Sequence, residues 1–134
     1  MSGTFGYEMD LSRCTDEEKE NIRRQIAFYK SHYDLISRGD YYRLTNPFDH
    51  KLFTAWEHVS ADRRKALVSV VFDNIRPASP FHKLCLKGLD PSLQYRINGK
   101  KKLYSGALLV QAGYPLPIIQ KDYQSLQFYL EAKE

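Results

Sequence analysis

Residues 15–44, TDEEKENIRRQIAFYKSHYDLISRGDYYRL, hold the point at which this chain changes character. Thr15 is a good helix N-cap, and Glu18 three residues on completes a capping box. Asp16, Glu17 and Glu18 fall in the first turn, where the helix dipole favours negative charge. Ile22, Ile26, Tyr29, Tyr33 and Ile36 then recur at spacings of four and three, which is one apolar face. Arg38 falls in the last turn, and Gly39 stands at the C′ position, where a left-handed glycine commonly ends a helix. The spacing therefore predicts one helix from about Asp16 to Arg38, with an apolar stripe that must pack on something. From Tyr42 and Leu44 onward the apolar period is two, not 3.6, which is the period of a strand.

Downstream the period-two pattern continues in short runs. The first strand ends at Asn46-Pro47. Residues 53–60 (FTAWEHVS) form a second, and Ala61-Asp62-Arg63-Arg64 reads as a hairpin connection. Residues 65–74 (KALVSVVFDN) form the strongest, with Ala66, Val68, Val70 and Phe72 on one face. Its other face is also apolar at Leu67 and Val71, so it reads as a central strand. Residues 76–80 (RPASP) are a loop. His82, Leu84 and Leu86 alternate, Gly88-Leu89-Asp90-Pro91 turns, and Leu93, Tyr95 and Ile97 alternate again. Asn98-Gly99 is the preferred pair for a tight type I′ hairpin, after which Leu103-Tyr104 resumes a strand. Residues 105–113 suit one short helix, and Tyr114-Pro115-Leu116-Pro117 forbids regular structure. Leu126, Phe128 and Leu130 share one face of a closing strand over 123–130. About seven short strands at this spacing argue for a β-sandwich.

Upstream of the helix, residues 1–14 (MSGTFGYEMDLSRC) alternate well enough for a short strand, with Gly3 and Gly6 suggesting a bend or close backbone approach.

Composition limits the function classes. A chain of 134 residues supports one domain, or one domain with a short appendage. Ten Tyr and seven Phe suit half-buried sheet surfaces. Residues 1–40 hold six Lys/Arg against eight Asp/Glu, whereas residues 41–134 hold fourteen against eight. The basic β region is not accompanied by any nucleic-acid-binding motif, so no nucleic-acid partner is expected. Cys14 and Cys85 form no CxxC or Cys/His cluster, which argues against a disulfide scaffold or a zinc site. Met1-Ser-Gly-Thr is no start of a secretory signal, and no stretch approaches a transmembrane length. A cytoplasmic location without membrane contact is the expectation, and no cofactor or metal is expected.

Candidate sites are sparse. Glu8 and Asp10 share a strand face about 7 Å apart, but a glycosidase needs two carboxyls flanking one bond within a cleft. Surface roles are preferred for both. His32, His50, His58 and His82 are scattered without HExxH or His/Asp spacing. There is no GxSxG elbow, Walker loop or GxGxxG. Lys100-Lys101-Lys102 lies at a hairpin tip and reads as solvated. Lys83 and Lys87 flank Cys85, making it mildly reactive at most. Trp56 is the one tentative sugar-stacking residue, since an exposed indole face suits the C–H patches of a sugar ring. A core or interface role for Trp56 is preferred.

Five segments, GTFGYEMDL (3–11), QIAFYK (25–30), GDYYRLTNPF (39–48), LKGLDPSLQYRING (86–99) and YSG (104–106), occur in the order found in the C-terminal part of bacterial α-galactosidases of glycoside hydrolase family 36. The chain resembles that part over nearly its whole length. The resemblance implies a mainly β architecture. Residues 1–39 are then the last strand and helix of a (β/α)8 barrel, incomplete here, and residues 40–134 a C-terminal antiparallel β-sandwich. It implies a retaining enzyme acting on terminal α-galactosides such as melibiose and raffinose. The family's nucleophile is the Asp of a KWD-type motif and its acid/base the Asp of a GGGRFD-type motif, and neither motif occurs in this sequence. No catalytic residue is carried over, and Asp10, Asp40 and Asp90 match positions outside that pair. The implied partner is the remainder of an α-galactosidase, its barrel and N-terminal domain, or else self-association through the helix face. The chain alone is expected to be inactive. The alternative reading is an autonomous carbohydrate-binding or interaction module.

Overall fold

The computed structural model describes residues 3–46, 48, 53–73, 81–118 and 123–133. The loop 76–80, His50 and Pro47 lie outside them.

The helix forms as its caps dictate, but in two pieces, α1 (Asp16–Ser31) and α2 (Tyr33–Arg38). The Thr15–Glu18 capping box is complete: the Glu18 N–H donates to Thr15 Oγ1 at 3.2 Å and the Thr15 N–H to Glu18 Oε2 at 2.7 Å. The break falls at His32, where φ −113° and ψ 9° leave the helical region. There the Phe28 carbonyl accepts from Ser31 Oγ at 2.8 Å and lies 2.8 Å from His32 Nδ1. The His32 N–H still reaches that carbonyl at 3.2 Å, so side chains crowd the last helical bond without replacing it. Gly39 is also not the left-handed cap expected, since its φ is −72°. A Cβ there would lie 2.4 Å from the Leu35 carbonyl oxygen and 3.0 Å from that of Val59. Glycine is required at 39 because two backbones meet, not because the turn is left-handed.

The strands β1 (Asp40–Arg43), β2 (Phe53–Val59), β3 (Lys65–Phe72), β5 (Gln94–Ile97), β6 (Leu103–Ser105) and β8 (Ser125–Ala132) build one six-stranded sheet in the order β1-β2-β3-β8-β5-β6. Every pairing within it is antiparallel. β3 is central, as its two apolar faces require, with β2 and β8 as neighbours. The 60–64 connection is closed by Ser60 and Asp62, whose side chains bond each other at 2.6 Å and cap the Lys65 and Arg64 N–H groups. The Asn98-Gly99 turn has φ 48° and 67°, both positive as type I′ demands.

A second, smaller sheet pairs β4 (Lys83–Leu84) with β7 (Tyr114–Pro115). The sequence pattern predicted no regular structure at Tyr114-Pro115 and a longer strand from His82. Pro115 is tolerated because this ladder is two residues long and needs no donor from it. Together with α3 (Gly106–Gln111), it forms the layer opposite the large sheet. Residues 3–10 carry no strand; they lead into a single 3-10 turn, Leu11–Arg13. A strand exists by pairing, and no strand among the described residues lies beside this segment.

The front face of the large sheet is the core. Ala55, Val59, Ala66, Val68, Val70, Tyr95, Ile97, Phe128 and Leu130 meet Leu84, Leu86, Leu89, Leu109 and Leu116 of the second layer. The back face reads as three rungs. The first, His58–Leu67–Tyr129, is covered by the helices, with Leu35 and Ile36 buried against Leu67 beside Phe28 and Tyr29. The second is Trp56–Ser69–Gln127 and the third Thr54–Val71–Ser125.

Candidate functional site

The residues that the sequence singled out do not converge. Asp10 and Glu8 are both exposed. Asp10 is the N-cap of the 3-10 turn, accepting from the Ser12 N–H at 3.0 Å and Ser12 Oγ at 2.7 Å, which holds its carboxyl below the usual range. Asp90 does the same for its own turn, accepting from the Ser92 N–H and hydroxyl, with the same effect on its carboxyl. Both are ionised turn-formers, whereas a general acid needs a raised pKa. Cys14 and Cys85 are free thiols, and among the described residues no three His, Cys, Asp or Glu side chains group as a metal site. His58 packs edge-on to Tyr41, His32 to Tyr129 and His82 to Phe53. Among the described residues no helix is long and apolar enough to cross a membrane.

Two of the segments that carried the resemblance, 86–99 and 104–106, brace the β-domain. Tyr95 is wholly buried; its hydroxyl donates to the Arg63 carbonyl at 2.6 Å and accepts the Asp90 N–H at 2.9 Å. Asn98 Oδ1 accepts the Tyr129 N–H at 2.8 Å, tying the hairpin to β8. Ser105 caps α3 by accepting the Leu108 N–H. A Cβ on Gly106 would lie 2.0 Å from the Asp90 carbonyl oxygen, so the loop seats only against glycine.

Among the described residues, three of the hollows open to solvent bear on function. One of about 560 Å³ holds Asp62 and Glu131 among Arg64, Lys65, Arg96 and Lys133. Asp62 is bonded to Ser60 and the Arg64 N–H, which keeps its carboxyl low and ionised. A second, of about 360 Å³, lies between the N-terminal segment and α1 and is lined by Phe5, Tyr7, Met9, Leu11, Ile22, Ile26 and Tyr29. Its walls are held by Tyr7 donating to Gln25 Oε1 and by Tyr29 donating to the Gly3 carbonyl at 2.8 Å. The third, of about 310 Å³, is the uncovered back face of the sheet, lined by Gln25, Trp56, Ser69, Val71, Ser125 and Gln127 among others. Trp56 is half-buried there, and its Nε1 is shut from solvent with no hydrogen-bond partner among the described residues.

Glu57 is the residue that the sequence reading missed. It lies on β2, fully buried, facing the core. Its Oε1 accepts the Lys87 N–H, while Oε2 has no partner among the described residues. Burial pushes its pKa up to about 8, against the Lys87 N–H and ammonium, which pull it down. Strand parity was the available signal: Glu57 shares its face with Phe53, Ala55 and Val59. It anchors a loop, because Lys87 also reaches the Arg43 carbonyl with Nζ at 3.0 Å.

A family model of the glycosyl hydrolase family 36 C-terminal domain matches residues 53–130, and a melibiase model matches residues 1–39. The chain is 42% identical over 135 residues to the bifunctional α-galactosidase/sucrose kinase AgaSK of Mediterraneibacter gnavus, covering 100% of the chain and 14% of that protein. It is 41% identical over 132 residues to α-galactosidase AgaA of Geobacillus stearothermophilus, covering 98% of the chain and 18% of that protein. The crystal structure of AgaA matches with a TM-score of 0.92 at 40% identity, over 98% of this chain and 18% of that one. The galactosidase domain of AgaSK matches at 0.91 and 39%, over 96% and 18%. The chain thus spans less than a fifth of these relatives. It belongs to glycosyl hydrolase family 36, and its antiparallel β-domain is the C-terminal domain of that family's α-galactosidases.

Proposed function

We propose that this chain serves an α-galactosidase as its closing structural segment and supplies none of the reacting groups. Residues 1–39 act as the last strand–helix unit of the barrel, and residues 40–134 as the sandwich that buttresses it. The observation that carries this reading is α1: it has an apolar stripe, yet none of its sixteen residues is buried. A stripe of that kind needs a second surface, and the melibiase match over residues 1–39, taken with the resemblance to a barrel unit, supports reading a barrel as that surface. One strand–helix unit cannot close a barrel that needs eight. Retaining chemistry also needs two carboxyls about 5–5.5 Å apart, and the turn-forming aspartates here are tied to their own backbones.

The isolated chain, purified from a host lacking α-galactosidase, is expected to release no nitrophenol from an aryl α-galactoside. Turnover above a heat-killed control contradicts the proposal. The second reading, a sugar-binding module, draws on Trp56 lining a hollow of amides and hydroxyls. It requires saturable binding of galactose or raffinose by the chain alone.

A further inference from the structure

Glu57 stands at the joint between the two layers of the β-domain. It is fully buried on the core face of β2, opposite Tyr42 of β1 and Val68 of β3. Three contacts clamp residues 87 and 88, next to Leu86 of the second layer, onto this edge of the sheet. Glu57 Oε1 accepts the Lys87 N–H. The Lys87 ammonium donates to the Arg43 carbonyl at 3.0 Å. Gly88, at φ 70°, lies against the Tyr42 ring, where a Cβ would come within 2.5 Å of a ring carbon. The Arg43 carbonyl is an acceptor of a particular kind. The Leu44 N–H donates to the Ala55 carbonyl at 3.0 Å, so by antiparallel alternation the Arg43 carbonyl points away from β2. β1 is the outermost strand of the sheet, so Lys87 covers an open backbone edge, a common use of lysine.

The second carboxyl oxygen, Oε2, is shut from solvent with no partner among the described residues. A neutral carboxyl tolerates that position, whereas a carboxylate buried there on one hydrogen bond requires a further partner. The groups facing it are few. β1 offers the Tyr42 phenol and β3 the apolar Val68, and Lys87 is the one charge that acts on it among the described residues. Lys87 is already inside the contact, since its own N–H sits on Oε1. Its side chain is a flexible four-carbon stem with three donors, and folding that stem back carries the ammonium from the Arg43 carbonyl to Oε2. We propose that Lys87 is a two-position latch set by the proton on Glu57. With Glu57 neutral, the ammonium covers the Arg43 carbonyl and guards the free edge of β1. With Glu57 ionised, the ammonium turns inward to pair with the carboxylate and leaves that edge uncovered. The Lys87 N–H stays on Oε1 in both states and bonds the carboxylate more strongly, so the segment keeps its seat while the side chain moves.

Carbon-13 and nitrogen-15 NMR of the whole chain, followed from about pH 6 to about pH 9, tests the latch. The Glu57 carboxyl carbon is expected to titrate near pH 8. The Arg43 carbonyl carbon and the Lys87 ε-methylene are expected to move with the same midpoint, while the Lys87 amide stays protected from exchange. In Glu57→Gln, which keeps the shape and an acceptor, the Arg43 and Lys87 signals are expected to stay flat. Lys87→Met keeps the backbone N–H and removes the ammonium. In that variant Glu57 is expected to titrate about one pH unit higher, with no matching step at Arg43. Ionisation of Glu57 in the ordinary carboxylate range overturns the latch. So does a Glu57 step near pH 8 that leaves Arg43 and Lys87 unmoved, because water then serves the carboxylate. Loss of Lys87 amide protection together with the Glu57 step marks local opening of the segment and also overturns it. An Arg43 step that persists in Lys87→Met reports only the field of the carboxylate, with the same consequence. Should either variant fail to fold, the titration of the parent chain decides by itself.

Discussion

The β-domain and the first 39 residues obey the same patterning rules and end in opposite states. On β3, Ala66, Leu67, Val68 and Val70 are all 0% exposed, while no residue of α1 is fully buried. Both segments have apolar residues at the period their geometry demands. The difference is the partner. The sheet finds its second layer within 60 residues of the same chain, in Leu84, Leu86, Leu89, Leu109 and Leu116. The helix finds only a short N-terminal strap and one rung of the sheet. Amphipathic pattern therefore guarantees a need for burial, and chain content decides whether the need is met.

Truncations measure this contrast most strongly. Leu130→Ala removes a wholly buried side chain from the central layer and is expected to cost about 3 kcal/mol, within the usual range for such cavities. Ile26→Ala removes a half-buried one from α1 and is expected to cost less than about 1 kcal/mol in the isolated chain. Urea unfolding followed by circular dichroism reads both. Equal costs would mean that the two regions form one core.

A smaller effect sharpens the comparison through pH. Burial raises the Glu57 pKa from 4.5 to about 8. The native state therefore holds this proton more tightly than the unfolded chain does. Its contribution is fully present below 4.5 and is lost as pH climbs toward 8, at up to about 1.4 kcal/mol per pH unit. The hydrogen-bonded carboxyls of Asp10, Glu18, Asp62 and Asp90 act in the opposite sense: their contributions are lost as pH falls below the ordinary carboxylate range. Burial lowers the His58 pKa, which opposes part of the Glu57 decline; stability of the chain is thus expected to be greatest near pH 5 and to decline toward pH 8. In Glu57→Gln the decline disappears. A Glu57→Gln profile identical to that of the parent between those values contradicts the raised Glu57 pKa.

Most of the fold was legible because its signals are local. The Thr15–Glu18 box, the alternation on β3 and the Asn98-Gly99 turn each specify geometry within a few residues. What was not legible depended on contacts distant in sequence. The Tyr114-Pro115 bridge exists because β4 lies opposite. Gly39 is glycine because Leu35 and Val59 carbonyls approach it. At the break, the Ser31 and His32 side chains crowd the Phe28 carbonyl, which still accepts the His32 N–H. The short strand expected over residues 1–14 failed for the same reason in reverse, since nothing among the described residues pairs with it. Glu57 was within reach of strand parity, but a carboxylate in a core-facing position runs against the ordinary distribution of charge. The segments 86–99 and 104–106 were legible as resemblance, yet their physical role, bracing the β-domain through Asp90, Tyr95, Asn98 and Gly106, emerged only from the hydrogen bonds and close approaches.

Hydrogen exchange resolved by peptide tests the central claim directly, because it reports the stability of each region in one sample. In the isolated chain, amides of β3 and β8 are expected to exchange only through global unfolding, and those of α1 at least about 100-fold faster. In a chimera in which this chain replaces the matching C-terminal segment of Geobacillus stearothermophilus AgaA, the α1 amides are expected to slow toward the rate of the strands, with the strands unchanged. If α1 is as protected as β3 in the isolated chain, the helix already has its partner, and the account of an N-terminal unit awaiting the rest of a barrel is wrong.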